Sequence, residues 1–278
     1  MNASRTFFIT GASSGFGRAI AEAAVTAGHR VVGTVRNEDA RQAFEALAPG
    51  HAFGRLLDVT KSGSSEVVVD EVECTVGAID VLVNNAGYGH EGAIEESTLD
   101  DLLRQLDVNL FGAVAVLQAV LPHMRRRRAG RIVNITSMGG FITLPGLGFY
   151  HASKFGLEAI SETLGKEVAQ LGIRVTAVAP GAFRTDWAGR SMVRTPRSIA
   201  DYDGVIDPWR ERRQRYSGRQ PGDPAKAAAA ILQLIDSDSP PAHLLLGNDA
   251  IDRVREKLAL LKSEIDAWES VSRSTDFS

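Results

Sequence analysis

The sequence predicts an α/β chain with a doubly wound parallel sheet, and three observations predict it. Short β-branched or aromatic segments alternate with longer helical stretches as far as about residue 180. That order gives parallel strands covered by helices on both faces. A glycine-rich turn, Gly11-Ala12-Ser13-Ser14-Gly15-Phe16-Gly17, follows the first segment and opens a helix. Polar residues then stand at the ends of later strands, at Asp58, Asn85 and Ser137, where such sheets bind their ligands.

Thr6 to Thr10 is short, β-branched and aromatic, and reads as a buried strand. The turn after it has the spacing G-x-x-x-G-x-G rather than G-x-G-x-x-G. The physics is shared. Glycine lets the backbone approach a phosphate, and free N–H groups at the helix start attract the anion. Gly11, Ser13, Ser14, Gly15, Phe16 and Gly17 are therefore the candidate pyrophosphate cradle. Arg30 to Val35 is the second strand, and it runs out at Arg36-Asn37 without an acid at its tip. An acid there suits a ribose 2′-hydroxyl, and an arginine suits a 2′-phosphate. A charge-assisted hydrogen bond from Arg36 contributes roughly 1.5–3 kcal/mol, or about 10- to 150-fold in affinity. NADP is accordingly preferred to NAD. Glu38 and Asp39, just beyond, keep NAD as the lesser candidate.

The alternation continues with a helix from Ala40 to Leu47 and a strand from Ala52 to Leu57, ending at Asp58-Val59. A helix from Ser64 to Val76 and a strand from Asp80 to Val83 follow, ending in Asn84-Asn85-Ala86-Gly87. Asp58, Val59, Asn85 and the glycine turn all fall at strand ends, so one site can gather them. The helical region from Leu99 to Arg128 carries Asn109 in its interior, where a short amide is a poor helix former. Its terminal run Arg125 to Arg128 is favourable at a helix C-terminus. Arg131 to Thr136 is the next strand and sets Ser137 at its carboxyl end.

Tyr150 and Lys154 are four apart, so on a helix they share a face with Cβ atoms roughly 5–6 Å apart. A free tyrosine, with a pKa of about 10, is a poor base near neutrality. A neighbouring positive charge favours the phenolate. Bringing the pKa down to about 7 takes roughly 4 kcal/mol of differential interaction. Lysine together with a cationic cofactor is expected to supply it, leaving the tyrosine poised for acid–base work.

Gly172 ends this helix, and Ile173 to Ala179 is a strand followed by Pro180-Gly181-Ala182-Phe183-Arg184-Thr185. Residues 186–220 show no periodicity, are rich in arginine, and read as a lid over the substrate. Asp223-Pro224 starts a helix that runs to about Ile235, with Asp as cap and Pro at the first position. His243 to Leu246 is a last strand. In the tail, Ile251, Val254, Leu258, Leu261, Ile265 and Trp268 recur at intervals of 3, 4, 3, 4 and 3, which marks an amphipathic helix over about 250–270.

Composition bounds the function. The 278 residues are 44% hydrophobic and 23% charged, ordinary for a globular chain with a sizeable core. A net charge of −3 argues against general nucleic-acid binding. The single cysteine, Cys74, permits no intrachain disulfide and points to a reducing, cytoplasmic compartment. A strand beginning near Thr6 leaves no room for a signal peptide, and no apolar run approaches the length of a membrane span. No metal site is expected.

Taken together, these residues resemble the short-chain dehydrogenase/reductase family in its compact form. The matching pieces are Thr10 to Gly17, Asn84-Asn85-Ala86-Gly87, Asn109, Ser137, Tyr150-x-x-x-Lys154 and Pro180-Gly181, in the family's order over about residues 5–186. The resemblance implies a Rossmann-type single domain over residues 1–278 that binds a nicotinamide cofactor. It implies Tyr150 as acid/base and Ser137 as hydrogen-bond donor to the substrate oxygen. Lys154 would hold the nicotinamide ribose, and Asn109 would support a relay water. Pro180, Gly181, Phe183 and Thr185 would lie on the nicotinamide side. It also implies a homodimer or homotetramer. V-G-T-V-R-N and P-G-A-F-R-T-D-W look like the hydroxysteroid- and retinol-dehydrogenase-like branch. The expected reaction is hydride transfer between nicotinamide and a ketone or secondary alcohol. Met138, Phe141, Leu144, Leu147, Phe149 and Trp187 are the candidate lining of an apolar pocket. Two rival readings are a 3-oxoacyl thioester reductase and a non-catalytic NADP-binding regulator. The second would be free to lose Ser137, Tyr150 or Lys154, and all three are present.

Overall fold

The computed structural model describes residues 4–277. The chain starts with β1 (Thr6–Ile9), α1 (Gly15–Thr26), β2 (Arg30–Val35), α2 (Glu38–Glu45), β3 (Ala52–Leu56), α3 (Ser64–Thr75) and β4 (Val81–Asn84). It continues through β5 (Gly89–Glu91), α4 (Leu99–Leu106), α5 (Gly112–Arg127), β6 (Gly130–Ile135) and α6 (Gly148–Val168). The last elements are β7 (Ile173–Pro180), β8 (Met192–Arg194), α7 (Asp203–Tyr216), α8 (Pro224–Asp236), β9 (His243–Leu246) and α9 (Asn248–Arg273). Seven strands form one parallel sheet in the order β3-β2-β1-β4-β6-β7-β9. The chain winds outward one way from β1 and then the other way from β4, so the strand order reverses between them. That reversal opens a crevice at the carboxyl ends of β1 and β4.

The central strands read as apolar runs because both their faces are covered. Phe7, Ile9, Val31 and Val83 face a core shared with α1, α2 and α8, which adds Ile20, Phe44 and Ile231. Phe8, Val32, Leu82 and Ile132 face the opposite core, with Val69, Val120 and Leu164 from α3, α5 and α6. Local chemistry sets the helix starts. Asn37 Oδ1 accepts from the Ala40 N–H, the Thr98 and Asp101 side chains form a reciprocal cap, and Asp223 Oδ1 accepts from the Ala225 N–H.

Two expectations need correction. The helix expected over Leu99–Arg128 is not uniform. Residues Asp107–Phe111 widen into a π-turn between α4 and α5, with Asn109 buried at its middle. The composite Leu99–Arg127 is also long and apolar enough to cross a membrane by length and composition. Its apolar face is used inside the fold, however, where Val116, Leu117, Val120 and Met124 are buried against the sheet. The region 186–220 is not irregular either. It contains β8, which pairs in parallel with β5, and the fourteen-residue helix α7. Charge hid that helix from a hydrophobic-period search, since α7 buries only Ile206 and is held by ion pairs.

Candidate active site

The glycine turn needs its glycines. Gly11 (φ +68°) and Gly15 (φ +57°) adopt left-handed conformations that other residues reach only at a cost. A Cβ on Gly11 would sit 2.9 Å from Ala86 Cα, and one on Gly17 would meet the Gly11 carbonyl and, at 2.5 Å, Asn85 Nδ2. Asn85 locks the turn by donating from Nδ2 to the carbonyls of Thr10 (2.9 Å) and Gly11 (3.0 Å). Thr10 Oγ1 accepts in return from the N–H groups of Asn85 and Ala86. Ser14 precedes α1 with no side-chain hydrogen bond to the helix, and the first turn carries no acid. Ser13 is exposed beside it. The α1 N-terminus therefore keeps free donors and a positive dipole end facing the crevice. This cradle fits a dinucleotide pyrophosphate.

The other candidate cofactor contacts surround it. Arg36 is exposed just past β2. Its charge helps hold the Asp58 carboxyl below the usual range, behind the larger effect of hydrogen bonds from Thr60. Val59 packs where a Cβ on Gly112 would be, 2.9 Å from its own Cβ. Pro180 ends β7. Asp249, at the start of α9, accepts from the Ala182 N–H at 2.8 Å and occupies the space beside Gly181. The chain then turns back to the glycine loop. Phe183 packs at a tilt against Phe16 with ring centroids 5.1 Å apart, and a Cβ on Gly15 would lie 3.7 Å from Thr185 Cβ.

Ser137 stands just beyond β6, with its Oγ accepting from the Gly139 N–H at 3.0 Å. Its hydroxyl also reaches the Tyr150 phenol and draws that pKa down. Lys154, one turn after Tyr150 on α6, donates from Nζ to the Ile135 carbonyl at 2.8 Å. Its Nζ lies 5.9 Å from the Tyr150 ring centroid. Asn109 is fully engaged: Oδ1 accepts from the Tyr88 N–H, and Nδ2 donates to the Tyr88 carbonyl and Ser153 Oγ. Its amide thus ties the loop after β4 to the residue preceding Lys154.

Within the chain alone, burial dominates the electrostatics of this pair. Burial pushes the phenol up to about 12, against the opposing pull of Ser137. Burial likewise lowers Lys154 to about 8, with Glu158 pulling the other way. Desolvation penalises both charged forms. Tyr150 therefore stands protonated at neutral pH, the form that gives a proton to a carbonyl. A stability prediction follows from Lys154. Its folded pKa is depressed, so the wild type gains stability relative to Lys154→Met as pH rises from about 8 towards the ordinary lysine value of 10.5. Urea titrations of both proteins across that range check the sign, and a constant difference would show Lys154 to be solvated.

The pocket expectation is partly met. Leu144, Leu147 and Trp187 do gather around Tyr150, with the Trp187 ring 5.0 Å away. Phe149 stacks instead on His90 and Phe141 meets His243 edge-on, while Met138 sits in the short turn after Ser137. Met192 from β8 takes part; it fell in the supposed irregular region and carried no readable signal. His151 was missed too. It is buried, with Nδ1 bound to the Gly139 carbonyl and Nε2 receiving the Leu144 N–H, both at 2.8 Å. That fixes a neutral ring with the proton on Nδ1, and it clamps the loop between Ser137 and Leu144. Beneath Lys154, buried Glu158 accepts from Thr136 Oγ1 and, at 2.8 Å, meets His243 Nδ1.

The segment 186–220 is anchored through Glu91, which is fully buried. Arg194 and Arg213 bond its carboxylate at 2.9 and 2.7 Å, and Arg210 approaches to 3.7 Å. Arg197 pairs with Glu96, Asp203 and Asp207. These arginines hold the segment 186–220 to the body, whereas Arg212 lies over the rings of Trp209 and Tyr216. Among the described residues no cluster could hold a metal.

A phosphate cradle, a switch-point crevice and a hydrogen-bonded Ser–Tyr pair with a lysine one turn on define a dinucleotide-dependent oxidoreductase. The family model for the short chain dehydrogenases matches residues 5–193. The chain is 36% identical over 269 residues to the oxidoreductase BOA17 of Botryotinia fuckeliana, covering 96% of this chain and 98% of that one. Its fold matches a crystal structure of a short-chain dehydrogenase from Streptomyces avermitilis with TM-score 0.93 and 43% identity, over 99% and 100% of the two chains. It also matches a short-chain dehydrogenase/reductase from Burkholderia phymatum in complex with NAD, with TM-score 0.81 and 25% identity, over 93% and 95%. The chain belongs to the short-chain dehydrogenase/reductase family, and is an NAD(P)-dependent oxidoreductase of CH–OH and C=O groups.

Proposed function

We propose that this enzyme interconverts a hydrophobic ketone and its secondary alcohol, with NADP(H) as the preferred cofactor. The observation that carries this reading is the buried Tyr150 phenol, hydrogen-bonded to Ser137 and packed among Leu144, Leu147, Met192 and Trp187. A polar oxygen is served there by two hydroxyls, and the rest of the substrate meets apolar surface.

In the proposed reduction, Ser137 donates a hydrogen bond to the carbonyl oxygen and Tyr150 gives it a proton. Lys154, held at the Ile135 carbonyl, orients the nicotinamide ribose. The α1 N-terminus and the glycine turn hold the pyrophosphate, with Phe183 and Thr185 closing over the nicotinamide side. The bound nicotinamide supplies the hydride in reduction and accepts it in oxidation. Asn109 acts by position, since its amide is committed to Tyr88 and Ser153. The lid, residues 186–220, excludes water once the substrate is seated. The protein is proposed to work in the cytoplasm as a homodimer or homotetramer, as one domain.

The NADP preference rests on Arg36, free and exposed where β2 ends without an acid. Arg36→Ala should weaken NADPH binding about 10- to 150-fold and leave NADH nearly unchanged, as read by nucleotide fluorescence titration. Equal losses for both would remove the 2′-phosphate role. A panel of apolar ketones and secondary alcohols, followed by NADPH absorbance, tests the substrate class. Turnover confined to 3-oxoacyl thioesters would replace it, and no turnover with any of them would leave a nucleotide-binding regulator.

A further inference from the structure

The C-terminal helix leaves an apolar face uncovered. α9 has 26 residues, about 40 Å at 1.5 Å per residue. Only its first turns touch the domain, through buried Ala250 and Val254. From Leu258 to Phe277 every described residue is exposed. Leu258, Leu261, Ile265 and Trp268 are 57%, 42%, 59% and 65% exposed, yet their 3–4 spacing sets them in one stripe. Such a spacing repeats every 3.5 residues, the period of a helix that pairs with another helix. Most helical stability in proteins comes from packing of an amphipathic face rather than from propensity. Aligned apolar surface of this kind marks an interaction site.

The charges beside the stripe indicate what covers it. The positions flanking the seam are Arg255, Lys257 and Lys262 in the first half and Glu264 and Glu269 in the second. The sign changes halfway along. Against a parallel copy, basic half would lie on basic half and acidic half on acidic half. Against an antiparallel copy each basic half meets an acidic half, twice over about a two-fold axis. A stripe with such flanks is complementary to its own reverse, the defining property of an isologous interface. An anionic lipid surface would favour cations along the whole stripe, and the half that carries Trp268 is flanked by acids.

We propose that α9 from about Leu258 onward is a homotypic docking surface, pairing antiparallel with α9 of a second copy of this chain. The occupant buries Leu258, Leu261, Ile265 and Trp268 in a shared seam, and the flanking charges set the direction. The tail lies outside the reaction machinery, so its pairing stands apart from the substrate reading.

Sedimentation equilibrium of the full chain at micromolar concentration tests this. Leu261→Asp with Ile265→Asp should halve the mass of the wild-type assembly, from dimer to monomer or from tetramer to dimer. NADPH binding should be retained in that variant, which shows the domain to be folded. Arg255→Glu, Lys257→Glu and Lys262→Glu together should also dissociate the pair, and adding Glu264→Lys and Glu269→Lys should restore it. A monomeric wild type, or an unchanged mass in the Leu261/Ile265 variant, would overturn the proposal. So would an assembly indifferent to the triple reversal, as a parallel pair would be. Binding of the wild type to phosphatidylserine vesicles, lost in the Leu261/Ile265 variant without change of mass, would assign the face to a membrane instead.

Discussion

Tyr150→Phe should lower turnover about 10²–10⁴-fold, the range general acid–base catalysis contributes, while nucleotide affinity stays within a few-fold of wild type. The substitution removes one oxygen and keeps the ring, so the packing on Leu147, Met192 and Trp187 is preserved. The phenol is buried, and burial holds its pKa at about 12; no other ionisable side chain is bonded to it. Ser137 carries a hydroxyl at the same place, but a serine hydroxyl has no accessible proton to give as an acid. Stopped-flow NADPH oxidation with an apolar ketone reads the loss. Unchanged turnover would remove Tyr150 from the chemistry and leave the site without a proton donor.

Glu91→Ala should produce the largest change in stability. Glu91 is completely buried, and the guanidinium groups of Arg194, Arg210 and Arg213 converge on it. Removing one partner of a buried ionic cluster leaves the others desolvated and uncompensated, at a cost of roughly 3–5 kcal/mol. For a chain of this size that lowers the melting temperature by the order of 10 °C. Because β5 and β8 join the loop after β4 to the lid, loosening should concentrate in residues 186–220. Limited proteolysis should cut there first, and KM should rise more than kcat falls. An unaltered melting curve together with an unaltered cleavage pattern would mean the lid is held by other contacts.

Most of the sheet was legible in the sequence because its signals are local. β2 and β9 stand where their β-branched or apolar runs end, and Asp223-Pro224 starts α8 as capping chemistry requires. The glycine turn, Ser137, Tyr150 and Lys154 were legible because fixed spacing on a strand end or a helix face implies fixed geometry. What stayed hidden depends on contacts distant in sequence. Glu91 and Arg213 are 122 residues apart, and Glu158 and His243 are 85 apart; nothing in either neighbourhood announces the partner. α7 stayed hidden because ion pairs rather than an apolar face hold it. The burial of Tyr150 stayed hidden for a related reason. Spacing reveals the neighbouring lysine but not the burial that opposes it. The tail shows the converse: its periodicity revealed an apolar stripe, and only the fold shows that its own domain leaves most of that stripe uncovered.

The central claim is that the Ser137 hydroxyl and the Tyr150 phenol serve one substrate oxygen. Single-turnover rates of Ser137→Ala, Tyr150→Phe and the double variant, with nucleotide bound to saturation in each, test it most directly. Groups that act as a unit lose their effect together, so the double variant should be little slower than the slower single one. Losses that multiply, each variant costing the same whether or not the other is present, would show two independent contributions and contradict a shared oxygen site.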